Sequence, residues 1–140
     1  MIELDGHRIG PHEKVWICAE CGVNHNGRID LALKLVDAAK EAGADAAKFQ
    51  VFNTARLLAS DSPQYRMLLP LELSEGQLRH IKRHCDDIGI TFLATPDQMQ
   101  DADLLESIGV PAYKIGSGHV TDLELLRHVA GAGNPIILST

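Results

Sequence analysis

The chain has 140 residues, 45% hydrophobic and 23% charged, with a formal net charge of −6. That composition suits one soluble globular domain, and an acidic balance without a basic tail or stripe argues against nucleic acid as a partner. No apolar run approaches a membrane span, and Met1-Ile2-Glu3-Leu4-Asp5 lacks a basic region followed by an apolar one, so the expectation is a cytoplasmic protein with no signal peptide and no membrane contact.

Taken in order, Ile2 to Ile9 with Asp5-Gly6 inside predicts a small hairpin before the main fold, within an extension over residues 1–13. Val15 to Ala19 is the first strong strand, ending at Glu20. The three cysteines argue against a disulfide scaffold. Cys18 and Cys21 have C-x-x-C spacing, with His25 four residues on. A zinc site is disfavoured, because there is no second C-x-x-C and residues i and i+3 of a strand face opposite ways. Gly22 to Gly27 is a polar loop. Arg28 to Ala42 is helical, with Leu31, Leu35, Ala38 and Ala42 as its apolar stripe and Gly43 as its stop. Ala46 to Phe52 is the second strand.

Residues 53–73 resist assignment. Ser60 to Pro63 reads as loop and Tyr65 to Leu69 as a short helix. Ser74-Glu75-Gly76-Gln77 is a capping box. Leu78, Ile81, Cys85 and Ile88 then share one helical face, closed by Gly89. Ile90 to Thr95 is the third strand, stopped by Pro96. Gln98 to Ile108 is a helix carrying Ala102, Leu105 and Ile108, closed by Gly109. Ala112 to Ile115 is the fourth strand. The turn Gly116-Ser117-Gly118 follows, and Thr121-Asp122-Leu123-Glu124 reads as a second capping box opening a helix to Ala130. Strand, lysine, glycine turn and helix start together describe either an anion site or an ordinary βα turn whose lysine reaches out to water. Pro135 to Thr140 is the fifth strand.

Strict alternation of strand and helix implies a parallel sheet with right-handed crossovers. Two α/β architectures fit, a (β/α)8 TIM barrel and an open doubly wound sheet. A barrel needs about 250 residues and five strands cannot close one. On that reading residues 14–140 are its first five strands and four helices, cut after the fifth strand. The turns lack the glycine signatures of dinucleotide and P-loop sites.

Polar residues cluster at the strand ends: Glu20, then Lys48 and Gln50, Thr95, Lys114 with Ser117, and Ser139. In a (β/α)8 enzyme that mouth holds the active site. Two lysines can bind a phosphate or carboxylate, and Thr95, Ser117 and Ser139 can donate hydrogen bonds to it. Glu20 is the carboxylate of the set, either a general base or metal-water partner or a salt bridge to Lys48 or Lys114. Another reading makes Lys114 or Lys48 a Schiff-base lysine of an aldolase. A third is a non-catalytic half-barrel that only binds or self-associates. His7, His12, His80, His84 and His128 read as surface residues.

Five segments carry a resemblance. Ala19-Glu20-Cys21-Gly22-Val23-Asn24-His25-Asn26-Gly27 resembles AEIGxNHNG. Ala47 to Phe52 resembles a KFQ segment, Phe92 to Pro96 resembles FxSTP, Val110 to Gly118 resembles VPAYKIGSG, and Asn134 to Thr140 resembles KPIILST. In this order they resemble the sialic acid synthases, N-acetylneuraminate synthase and its relatives. The resemblance implies a (β/α)8 barrel followed by an antifreeze-like domain, and a homo-oligomer, a dimer, in full-length form. It implies condensation of phosphoenolpyruvate with an N-acylated amino sugar such as N-acetylmannosamine, with release of phosphate. It also implies a divalent metal, Mn2+ or Mg2+, whose histidine ligands come from strands beyond this chain. Lys48, Thr95, Lys114, Ser117 and Ser139 would hold phosphoenolpyruvate, Gln50 would touch the sugar, and Glu20 would sit by the metal and reacting centre. The 140 residues alone are expected to be inactive. Position 119 is His where many members carry a sugar-contacting glutamate, and Asp97 replaces a common Phe.

Overall fold

A computed structural model describes residues 1–140. Strands β1 (Ile2–Leu4) and β2 (His7–Ile9) form the expected antiparallel hairpin, turned by Asp5 and Gly6 at positive φ. The main body runs β3 (Cys18–Gly22), α1 (Ile29–Glu41), β4 (Ala46–Val51), α2 (Thr54–Leu57), α3 (Pro63–Leu68), α4 (Glu75–Ile88), β5 (Thr91–Pro96), α5 (Met99–Ile108), β6 (Tyr113–Ile115), α6 (Leu123–Gly131) and β7 (Ile136–Leu138). The five strands β3-β4-β5-β6-β7 pair in chain order and all in parallel. This is the first part of a (β/α)8 barrel wall; the doubly wound alternative would require the strand order to reverse at a switch point. No helix is long and apolar enough to cross a membrane.

The two faces of the sheet have different partners, as the period-2 alternation of a strand requires. Ala47, Phe49, Val51, Phe92, Ala94, Tyr113 and Ile115 face the helices and join Val36, Leu78, Ile81, Leu105, Leu125 and Val129 in one core. Phe49 and Phe92 stack across β4 and β5 with ring centroids 5.9 Å apart. On the other face Ala46, Leu93 and Ala112 meet Leu4 of the hairpin, with Trp16 and Ile137 at the edge. Thr91 Oγ1 donates to Asp5 Oδ2 at 2.7 Å and ties the hairpin to the start of β5. The hairpin therefore closes the N-terminal end of the inner face and leaves the C-terminal end open.

The helix punctuation follows the sequence signals in α4 and α5. Ser74 and Gln77 form the reciprocal capping box, and Gly89 and Gly109 end their helices in the left-handed region at φ 69° and 80°. Four expectations are corrected. The first strand lies at Cys18–Gly22, not Val15–Ala19, and Val15 and Ile17 are 76% and 53% exposed. Glu20 is thus inside the strand, just before a bulge that pairs Gly22 with Phe49. In α1 the buried stripe is Ala32, Val36 and Ala39, rotated from the expected leucines, because small residues let the helix lie close on the sheet. Residues 53–73 hold two short helices and a 3-10 turn at Leu69–Leu71 rather than one helix. Before α6 a 3-10 turn spans Ser117–His119, and the N-cap is Asp122, not Thr121. Asp122 Oδ1 accepts from the Leu125 N–H at 3.0 Å, so that helix start already holds its own carboxylate.

Candidate functional site

Alternation along each strand puts polar side chains on the inner face, above the apolar floor. They are Glu20 of β3, Lys48 of β4, Thr95 of β5, Lys114 of β6 and Ser139 just after β7. Lys48 is 9% exposed and its Nζ is 2.5 Å from Glu20 Oε2. Of the two salt-bridge partners open to Glu20, the structure selects Lys48. Lys114 Nζ donates to Ser139 Oγ at 2.5 Å and to the Ile115 carbonyl at 2.8 Å. Burial lowers the Lys114 pKa, the positive charge of Lys48 lowers it further, and Glu20 opposes both. The layer thus carries two ammonium groups and one carboxylate, a net positive charge. A local excess of positive charge in a partly desolvated mouth attracts an anion.

The remaining expected residues form the rim. Gln50 faces the same way as Lys48 and is exposed. Its Nε2 and Glu20 Oε1 both border Gly22, which sits at φ 44°; a Cβ there would be 3.7 Å and 3.2 Å from them. Thr95 is 9% exposed, and its methyl and the His119 ring both border Gly116. Ser117 is exposed on its turn and its hydroxyl makes no hydrogen bond within the chain. Like Thr95 and Gln50, it has no hydrogen bond or ion pair to another member of the set; the ties are Lys48 to Glu20 and Lys114 to Ser139.

Two residues that the sequence reading named without placing them in the site stand at this mouth. Cys18 shares the inner face with Glu20; burial pushes its thiol up while the two lysines pull it down. Its i, i+2 spacing from Glu20 was the available signal. Asp97 directly follows β5 and pairs with His119, Nε2 to Oδ1 at 3.7 Å. By contrast His25 is a structural pin. It is fully buried, its Nδ1 accepts from the Gly27 N–H at 3.0 Å, its ring lies 6.0 Å from that of Phe49, and burial lowers its pKa. His84 and His128 pair with Asp37 and Asp103 on the outer surface, each at 2.6 Å.

No group of three or more His, Cys, Asp or Glu side chains stands close enough to hold a metal ion. A cavity of about 300 Å3 lined by Arg8, Glu13, Trp16 and Asp45 lies at the opposite end of the strands. It carries none of the convergent lysines, and the polar layer is the candidate site.

The polar layer stands at the C-terminal strand ends of a parallel barrel wall, the place where (β/α) barrels hold their active sites. The chain belongs to the NeuB family, whose model matches residues 35–140. It is 42% identical to N,N'-diacetyllegionaminic acid synthase of Legionella pneumophila, over 89% of this chain and 39% of that protein. It is 31% identical to human N-acetylneuraminate-9-phosphate synthase, over 96% of this chain and 41% of that protein. The crystal structure of the N-acetylneuraminic acid (sialic acid) synthetase from Leptospira borgpetersenii, in complex with citrate, superposes with a TM-score of 0.93 at 33% identity, covering 98% of this chain and 48% of that one. The chain thus spans about two fifths of the length of the curated relatives it matches.

Proposed function

We propose that these residues form the N-terminal part of a barrel that condenses phosphoenolpyruvate with an N-acylated amino sugar such as N-acetylmannosamine, giving a sialic-acid-like nonulosonic acid and phosphate. The observation that carries it is the paired cation layer, Lys48 on Glu20 and Lys114 on Ser139, at the C-terminal ends of adjacent strands. The relatives named as nonulosonic acid synthases support the same reading. In it, carbon 3 of phosphoenolpyruvate forms a bond to the aldehyde carbon of the open-chain sugar. Water adds at carbon 2, and the resulting tetrahedral centre expels phosphate.

Lys48 and Lys114 neutralise the phosphate and carboxylate of phosphoenolpyruvate, and Thr95, Ser117 and Ser139 donate hydrogen bonds to them. Glu20 exchanges its contact with Lys48 for the water or hydroxyl proton near the reacting carbons. Gln50, at the rim beside Glu20, meets the sugar. A divalent metal, Mn2+ or Mg2+, supplies Lewis acidity in this reading. Its ligands lie outside the 140 residues, and no step above is routed through it. The later strands and an antifreeze-like domain likewise lie outside, and the complete protein is a cytoplasmic homodimer.

The test incubates the protein expressed from its complete reading frame with phosphoenolpyruvate, manganese and a panel of N-acylated amino sugars. Phosphate release that depends on one of the sugars is expected; none with any sugar sinks the reading. The lowered pKa of Lys114 favours one rival, a Schiff-base aldolase, since a neutral amine is the nucleophile there. Borohydride trapping with pyruvate decides between them. An adduct on Lys114 or Lys48 establishes the rival, and its absence removes it.

A further inference from the structure

Pro96 interrupts the sheet at the height of the cation layer. β4 and β5 stay in register from Ala46↔Thr91 to Val51↔Pro96, and β6 and β7 from Tyr113↔Ile136 to Ile115↔Leu138. Between β5 and β6 the register holds a single pair, Ala94↔Tyr113. The next position towards the mouth sets Thr95 beside Lys114, both members of the layer. Backbone directions explain the stop. The Thr91 and Asp97 N–H groups donate to the Asp45 and Val51 carbonyls on the β4 side, each at 3.0 Å. Alternation along β5 therefore turns the N–H side of positions 92, 94 and 96 towards β6. The Tyr113 N–H donates to the Pro135 carbonyl at 2.9 Å and the Ser139 N–H to the Ile115 carbonyl at 3.0 Å, so 113 and 115 face β7 and the Lys114 carbonyl faces β5. The next rung would run from the N–H of position 96 to the Lys114 carbonyl, and a proline has no N–H to give. Proline is disfavoured inside a central strand for this reason.

The interruption divides the layer into two halves, each knit within itself. On the β4–β5 side Lys48 holds Glu20, and Arg56 of α2 reaches Asp101 of α5 at 2.6 Å. Gln98 Nε2 returns a bond to the Arg56 carbonyl at 3.2 Å. On the β6–β7 side Lys114 Nζ and the Ser139 N–H share the Ile115 carbonyl, and Lys114 Nζ also donates to Ser139 Oγ. The halves are joined away from the mouth, where the Tyr113 hydroxyl donates to Glu106 of α5 at 2.5 Å and His128 of α6 pairs with Asp103 of α5 at 2.6 Å. At the mouth the tie is Asp97 to His119 at 3.7 Å, longer than a hydrogen bond. Lys48 thus stands in one half and Lys114 in the other. Two like charges do not draw the halves together, and an anion between them does. We propose that Pro96 is a positioning residue of the anion site. By withholding one rung it keeps the Thr95 and Lys114 halves apart, leaving a gap that a phosphate or carboxylate bridges from Lys48 to Lys114. The absent N–H is a property of Pro96 itself, whatever else packs on the inner face. This deepens the synthase reading and rests on it for the anion, phosphoenolpyruvate.

The test uses wild type and Pro96→Ala, each expressed from the complete reading frame. Amide hydrogen exchange reads positions 94–97 and 113–119, and calorimetric titration reads phosphoenolpyruvate and inorganic phosphate. In wild type, saturating phosphoenolpyruvate should slow exchange along this seam about 10-fold or more. In Pro96→Ala the amide at position 96 gains the Lys114 carbonyl. Without ligand it should exchange about 10-fold more slowly than in an unstructured peptide, the worth of one hydrogen bond, and phosphoenolpyruvate affinity should fall about 10-fold. A merely structural proline would shift the melting temperature and leave that affinity within about twofold. Wild type that binds phosphoenolpyruvate with no slowing at the seam overturns the proposal, as does unchanged affinity in folded Pro96→Ala. If the variant does not fold, the wild-type comparison decides alone. If wild type binds neither probe, the synthase reading falls, and the gap is read from ligand-free exchange. Protection at position 96 in Pro96→Ala then supports it, and free exchange there overturns it.

Discussion

Gly27→Ala tests the loop that follows the Glu20 strand. Gly27 sits at φ 71°, and a Cβ there would be 1.9 Å from the backbone carbonyl oxygen of Pro70 and 3.1 Å from its carbon. The first cost is conformational: a left-handed alanine costs about 1–2 kcal/mol. The second is steric, because the Cβ lies more than an ångström inside an ordinary contact and the obstacle is backbone, which cannot rotate away. Separating the loops also strains the 3.0 Å bond from the Gly27 N–H to His25 Nδ1. Together the expected loss is about 3–4 kcal/mol, in the range reserved for named structural faults. Gly43→Ala is the control, since Gly43 has φ 79° and nothing within 4 Å of its Cβ position; it carries the conformational cost alone, about 1–2 kcal/mol. Urea unfolding followed by far-ultraviolet circular dichroism gives both values from the midpoints at a common slope. Equal losses in the two variants would refute the argument, because the close approach to Pro70 is what separates them.

Lys48→Met keeps the stem that lies against the inner floor and removes the charge; Glu20, with its side chain 53% exposed, rehydrates. Calorimetric titration should show phosphoenolpyruvate affinity reduced about 10–100-fold, the worth of one charged hydrogen bond, with the melting temperature within about 3 °C. The same titration against pH reports Lys114. Its folded pKa is lowered by burial and by Lys48, so it sheds its proton below the ordinary lysine range. Phosphoenolpyruvate affinity therefore falls as pH rises through that lowered value, and Lys114→Met abolishes this alkaline limb. Stability of the ligand-free chain moves the other way. The unfolded state holds the proton that the folded state has lost, so stability rises as pH climbs from the folded pKa towards the unfolded one. For the 140 residues alone, β3 and β7 are unpaired edges flanked by exposed Val15, Ile17 and Leu138. Sedimentation should show species larger than a monomer, and the phosphate-release assay should show no turnover.

The order of elements, the parallel sheet and most helix ends were legible in the sequence, because they rest on local signals. The apolar spacing of Leu78, Ile81 and Cys85, the Ser74 cap and the glycines at 89 and 109 act within a few residues. The period of two along each strand likewise put Glu20, Lys48, Thr95, Lys114 and Ser139 at one end of one face. Where two local signals competed, the choice was made by distant partners. Val15 and Ile17 look like strand, yet pairing starts at Cys18, where Ala46 stands opposite. The leucines of α1 look like its core face, yet the sheet accepts Ala32 and Val36, since close approach of helix to sheet needs small side chains.

The pairings within the site belong to the tertiary structure. Composition at the strand ends named the polar residues; strand order decided that Lys48 meets Glu20 and Lys114 meets Ser139. The same neighbourhood of strands brought Cys18 to the layer, where its i, i+2 spacing from Glu20 was the local sign, and Asp97 to His119, a pairing with no local signature. Sequence alone determines which chemistry the mouth contains, because residue type and alternation are local properties. Only the folded sheet decides which charges answer one another, because Coulomb and hydrogen-bond energies depend on separations that are set by residues 25 to 30 positions apart in the chain.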